Sequence, residues 1–195
     1  TPSTSLSFNG KKIVATHPSK PLHEIVKYIN KVSHNLSCDL LFLAIAKAYD
    51  PTSKNLNKSA LQATHEYYRK LVKQEPRFNI INGSGTSLNT HISPEQAIAL
   101  LLAITKAPYF SYFSDSLPLA SVDGTLKERF LNTPLAKNLR AKTGTKRAHY
   151  SLGGYFTNRL GKPFCFVVFL NGVKSSKKET ENFIDEFTLA LYNKY

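Results

Sequence analysis

No methionine and no tryptophan occur in this 195-residue chain, and it has only two cysteines. Cys38 and Cys165 are too few for a disulfide scaffold and lack the clustered spacing of metal ligands. They read as small buried apolar residues, with a bridge between the two left open. Acidic residues are scarce too: 13 Asp+Glu stand against 26 Lys+Arg, a formal net charge of +13. That balance favours acidic partners, meaning nucleic acid, anionic lipid or acidic cell-wall polymer. Lys and Arg adjoin only as pairs such as Lys11-Lys12 and Lys146-Arg147, without any zinc-finger, RNA-binding or basic-helix pattern, so nucleic acid is not an expected partner. No apolar run approaches the ~20 residues of a membrane span, and residues 1–19 hold no signal-peptide core. The six histidines show no H-x-x-x-H or H-E-x-x-H spacing, so neither a metal nor another cofactor is expected. The missing methionine predicts a processed product or a piece of a longer chain, with something upstream absent.

What is present describes a soluble globular domain: hydrophobic residues make up 42% and charged residues 20%. Residues 1–18 look extended, with a short strand possible over Lys12–Ala15. Ser19 is expected to cap a helix with Pro21 in its first turn and Leu22, Ile25, Val26 and Ile29 as its apolar stripe. S-x-N at 33–35 opens a second helix that ends before Asp50-Pro51, and a third is expected over 56–75. Phe78–Ile81 reads as a short strand leading into the Asn82-Gly-Ser-Gly85 turn. Ser93-Pro-Glu-Gln96 is a capping box that starts a fourth helix. Tyr109–Leu117 reads as helical, and Ser121–Leu126 as a turn.

From Leu139 the period changes to that of strands. The first ends in K-T-G-T at Thr145, and alternation puts Lys142 and Gly144 on one face and Thr143 and Thr145 on the other. Gly144 leaves no side chain beside the lysine, so another group can approach the backbone closely. An ammonium, flanking hydroxyls and an accessible strand edge make a receptor for a peptide that ends in a carboxylate. Tyr150–Thr157 and Phe164–Leu170 are further strands, the latter a continuous apolar run expected to be central. Ser176-x-x-Glu179 caps a last helix whose expected apolar face is Phe183, Ile184, Phe187 and Leu191. The fold class is α+β: one domain with a mainly helical part at 19–137, then an antiparallel sheet covered by a C-terminal helix at 138–195.

S-x-N and K-T-G are motifs of active-site-serine penicillin-interacting enzymes. His17–Leu22, Ser33–Asn35, Asn82–Gly85, Ile92–Pro94, Leu117–Leu126, Arg140–Thr145 and Ser151–Tyr155 follow that order as well. Together they resemble the D-alanyl-D-alanine carboxypeptidase/endopeptidase class of low-molecular-mass penicillin-binding proteins, the DacB-like group, over roughly residues 16–173. The resemblance implies the C-terminal portion of a penicillin-binding/β-lactamase-like transpeptidase fold, incomplete here. It also implies acyl transfer on the D-Ala-D-Ala end of peptidoglycan stem peptides, trapping by β-lactam antibiotics, and a location in the bacterial periplasm or cell envelope. By the same resemblance Ser33 passes a proton between lysine and leaving amine. Asn35 holds the substrate amide, Lys142 supplies a positive field, and Thr143 and Thr145 bind the terminal carboxylate. The Thr145 N–H is implied as an oxyanion donor.

The family's nucleophile lies in an S-x-x-K motif upstream of S-x-N. Here that pattern occurs only at Ser175–Lys178, after the last strand, where it reads as a chance match beside a capping serine. The nucleophile is therefore expected outside this chain, which alone is expected to be inactive. The last strand's open edge is then to be filled by a missing N-terminal half, by residues 10–16, or by a partner chain. His34 and Lys146-Arg147 depart from the family's usual residues. His34 is expected as a helix-start residue, and the two cations are expected to face solvent. Two functions stay open: part of a serine carboxypeptidase/endopeptidase, or a truncated non-catalytic relative that binds wall peptide or a protein.

Overall fold

The computed structural model describes residues 14–195. Its elements run α1 (Leu22–Val32), α2 (Asn35–Tyr49), α3 (Leu56–Val72), α4 (Pro94–Ile104), α5 (Phe110–Ser116), β1 (Arg140–Lys146), β2 (His149–Thr157), β3 (Pro163–Leu170) and α6 (Lys177–Lys194). One 3-10 turn, Gly124–Leu126, sits between α5 and β1. Of the proposed Lys12–Ala15 strand, residues 12 and 13 lie outside the described residues, and Val14 and Ala15 have no regular structure.

The strands form an antiparallel sheet in the order β1-β2-β3. Among the described residues β2 lies in the middle, and β3 carries the open edge that the sequence reading leaves to be filled. The apolar run of β3 reflects cover on both of its faces: Phe166 and Val168 join the core, while Val167 and Phe169 face the α4 side. Burial of two faces does not require two strand neighbours.

The core lies between the sheet and α6, where Leu139, Ala141, Leu152, Phe156, Phe166 and Ile184 are buried. The buried stripe of α6 is Thr180, Ile184 and Thr188, with Leu191 packed beside it. Phe183 and Phe187, expected inside, are 55% and 43% exposed. The threonines occupy the inner face without cost because their hydroxyls donate to carbonyls of their own chain, Thr180 to Ser176 at 2.8 Å and Thr188 to Ile184 at 2.7 Å. Ser176 and Glu179 form the expected capping box.

Two helix boundaries differ from the sequence reading. α1 starts at Leu22 with Pro21 as its N-cap residue, so Ser19 caps nothing, and Ile29 is its buried residue. α3 ends at Val72, where Lys73 turns left-handed. Phe78–Ile81 makes only an isolated bridge, Asn79 with His91. The Ser93 cap of α4 forms, but Gln96 does not return the bond. Its buried amide instead accepts from the Arg77 N–H at 3.0 Å and donates to the Glu75 carbonyl at 3.0 Å. A side chain nine-tenths buried must satisfy both ends, and the 75–77 loop offers what the cap does not.

Candidate active site

The S-x-N motif forms the corner between two helices. Ser33 closes α1 in the left-handed region at φ 55°, with its N–H bonded to the Ile29 carbonyl. His34 is the N-cap of α2: its Nδ1 accepts from the Ser37 N–H at 3.2 Å and pairs with the Ser37 hydroxyl at 2.9 Å. An N-cap accepts one of the orphan donors of the first turn, and here an imidazole nitrogen does so. Asn35 is the first residue of α2.

β1 brings K-T-G to that corner. Lys142 Nζ donates to Ser33 Oγ at 2.9 Å and to the Thr143 carbonyl at 2.8 Å. Burial pushes the Lys142 ammonium below the ordinary lysine range, an effect that a Cys38 thiolate would oppose. Cys38 lies on α2, donates to the Gly83 carbonyl at 2.9 Å, and is itself pushed up by burial first and by Asp39 second. It is a free thiol, as is Cys165 on β3, which burial pushes up to about 12. No disulfide joins them.

Gly144 pairs across the hairpin with Ser151. A Cβ on Gly144 would collide with Ser151 Oγ, so the glycine makes room for a hydroxyl from the neighbouring strand. The Thr143 hydroxyl donates to the Thr125 hydroxyl at 2.8 Å. Two residues before Thr125, Asp123 is bound by Lys31 Nζ at 2.7 Å, and the same ammonium reaches the Leu117 carbonyl at 2.6 Å. For Asp123, burial works upward, but the Lys31 and Leu119 N–H bonds prevail and hold the carboxyl below its ordinary range.

β1 has two kinds of edge. On one side it pairs with β2 throughout. On the other, its beginning is taken by the 118–120 segment: Ala141 N–H donates to Pro118, and Ala120 N–H to Leu139. From Lys142 to Lys146 that second edge has no strand partner among the described residues. It borders a cavity of about 850 Å³, within the range of small-molecule and peptide sites.

Ser33, Asn35, Lys142, Thr143, Gly144 and Thr145 all line this cavity. So do His34, Cys38, Ser84, Thr86, His91, Lys146, His149 and Ser151, and no carboxylate does among the described residues. Lys146, expected in solvent, is half-buried on the wall, while Arg147 is exposed in the left-handed β1–β2 turn. Ser175 is exposed and outside the cavity. Among the described residues no group of three or more His, Cys, Asp or Glu is placed to hold a metal ion.

Sequence reasoning treated Asn82–Gly85 as a plain turn, but it forms one wall of the cavity. Asp39, one helical turn after Asn35, accepts from the Ser84 N–H at 2.8 Å and from the Ser84 hydroxyl at 3.2 Å. Asn82 Nδ2 donates to Ser84 Oγ at 2.9 Å and Thr86 Oγ1 at 2.7 Å. A Cβ on Gly83 would overlap the Cys38 carbonyl and reach Phe42 Cβ at 2.8 Å, so only glycine seats the loop on α2. The place of Asn82–Gly85 among the recurring blocks was the available signal.

A family model described as the D-Ala-D-Ala carboxypeptidase 3 (S13) family matches residues 3–191. The D-alanyl-D-alanine carboxypeptidase DacB of Haemophilus influenzae is 33% identical over 208 residues, covering 96% of this chain and 42% of that protein. The crystal structure of penicillin binding protein 4 (dacB) from the same organism, complexed with a novel β-lactam, superimposes with a TM-score of 0.81 at 31% identity. That match covers 91% of this chain and 42% of the other. A class A β-lactamase representative from Bacteroides cellulosilyticus shares the fold, with a TM-score of 0.64 at 18% identity, over 88% of this chain and 62% of its own. The chain thus spans under half the length of the curated relatives it matches.

Proposed function

The chain belongs to the D-Ala-D-Ala carboxypeptidase 3 (S13) family, and we propose that it is the part of a serine D-Ala-D-Ala carboxypeptidase/endopeptidase that receives the substrate's carboxyl end. The observation that carries this reading is that, among the described residues, the Lys142–Lys146 edge of β1 is unpaired beside a cavity lined by cations and no carboxylate. A peptide adds to that edge as a strand, and its terminal carboxylate meets a positive field. Thr145 is exposed at the edge and offers its hydroxyl directly, whereas Thr143 must first release Thr125.

In this reading the nucleophile is the serine of an S-x-x-K motif outside these 195 residues. It attacks the D-Ala-D-Ala amide, and the Thr145 N–H steadies the developing oxyanion, worth about 3 kcal/mol for one such donor. Ser33, bonded to Lys142, relays the proton to the departing D-alanine nitrogen, and Asn35 holds the amide being cut. Water then hydrolyses the acyl-enzyme, and β-lactams stop the cycle at that ester. The substrate, a peptidoglycan stem peptide, puts the protein in the periplasm or cell envelope. No described helix is long and apolar enough to cross a membrane.

The test is D-alanine release from an acyl-D-Ala-D-Ala peptide by this chain co-expressed with the S-x-x-K-bearing segment of the Haemophilus influenzae relative. Release that falls at least about a hundredfold in Lys142→Met is expected, in line with loss of a positioned charge and proton relay. Release that is indifferent to Lys142→Met, or absent altogether, contradicts the proposal.

A further inference from the structure

We propose that Ser33 and Lys142 form a Ser–Lys dyad in which Ser33 itself accepts an acyl group from small activated esters, without any S-x-x-K serine. This goes beyond the reading above, where Ser33 only relays a proton.

Several observations converge on Ser33. Its Oγ is 2.9 Å from Lys142 Nζ, the separation expected of a nucleophile and its base. It is exposed and lines the cavity, whereas Lys142 is half-buried behind it. Its backbone is left-handed, φ 55° and ψ 49°, a conformation that non-glycine residues adopt sparingly and that recurs at functional corners. Lys142 donates to Ser33 and holds a carboxylate while charged; in the fraction that loses its proton, one N–H still serves the Thr143 carbonyl and the lone pair faces Ser33 Oγ. Burial favours that neutral form. The other titratable groups that share the cavity are Cys38 on α2, His34 at its cap, His91 on the 82–92 loop, Lys146 on β1, and His149 and Tyr150 on β2. No carboxylate is among them, and the opposing effect of Cys38 is smaller than that of burial.

The step balances without a co-reactant. Ser33 Oγ bonds to the carbonyl carbon of the ester while its proton passes to Lys142 Nζ. The carbon–oxygen bond to the leaving phenolate breaks, leaving a Ser33 ester and a Lys142 ammonium that returns its proton to water.

The probe is p-nitrophenyl acetate on this chain, with nitrophenolate release followed optically and the acetyl group mapped by peptide mass spectrometry. One rapid, hydroxylamine-sensitive acetyl per chain is expected on Ser33, forming faster as pH rises. The rate is expected to fall about a hundredfold in Lys142→Met. Ser33→Gly removes the nucleophile but suits the left-handed backbone, so its loss of labelling with an unchanged circular dichroism spectrum separates chemistry from folding. First acetylation at Ser37, whose hydroxyl pairs with His34, overturns the proposal. So does labelling of lysines alone, or Ser33 labelling that Lys142→Met leaves unchanged. The ester has neither D-Ala-D-Ala nor a carboxylate, so its failure leaves the substrate reading standing. Equally, failed D-alanine release alongside an acetylated Ser33 overturns the substrate reading alone.

Discussion

The two faces of one sheet are built to opposite rules. On the α6 face, Ala141, Leu152, Phe156, Phe166 and Val168 are buried and in contact, a bulky surface without polar side chains between them. On the other face the hairpin presents Lys142, Gly144, Ser151 and Gly153, small or charged residues that border open space. Strand alternation lets consecutive residues serve these two purposes. Ala141 is fully buried, and its neighbour Lys142 reaches into the cavity. Stability and chemistry therefore divide by parity at Ala141 and Lys142 and at Leu152 and Ser151, whereas Thr143 and Thr145 share the parity of Ala141 and still line the cavity.

Breaking the bulky face should carry the largest effect. Leu152→Ala removes a fully buried side chain from the middle of the sheet and is expected to cost about 3 kcal/mol in urea unfolding. Peptide binding by the molecules that remain folded should be unchanged. On the opposite face, Lys142→Met should do the reverse: peptide affinity falls about a hundredfold, roughly 2.8 kcal/mol, while the unfolding midpoint holds or rises because a buried charge is gone. A large stability loss in Lys142→Met would merge the two faces and end the comparison.

Gly144→Ala sharpens it. The new methyl group meets Ser151 Oγ, a side chain that can rotate, so unfolding should shift by less than about 1 kcal/mol. The methyl narrows the cavity floor, and calorimetry should show binding about tenfold weaker. The smallest effect is expected at the rim, where His34→Ala removes the α2 cap and costs about 1 kcal/mol. His34→Asn, which restores a capping acceptor, should recover most of that loss.

Much of the site was legible because its parts are local. K-T-G on a strand and S-x-N at a helix start are read from neighbouring residues, and both stand where the sequence put them. Other parts depend on partners far along the chain. Ser84 joins the cavity wall through Asp39, Thr125 meets Thr143 from 18 residues away, and Lys31 binds Asp123 from across the fold. No periodicity in either segment announces such a contact. The face of α6 was misread for a related reason: hydrophobicity alone favours Phe183 and Phe187, but Thr180 and Thr188 satisfy their own hydroxyls and pack inward. The apolar run of β3 reports its covered faces and does not by itself say which segment pairs with its open edge.

The most direct measurement is the binding of one acyl-D-Ala-D-Ala peptide in two forms, free acid and C-terminal amide, followed by amide chemical-shift changes. The free acid should move the Thr143, Gly144 and Thr145 resonances saturably, and the amide should bind at least about tenfold more weakly, one lost charge-assisted contact. Equal affinity for both forms, or shifts confined to the α6 face, would contradict a carboxylate-receiving edge on β1.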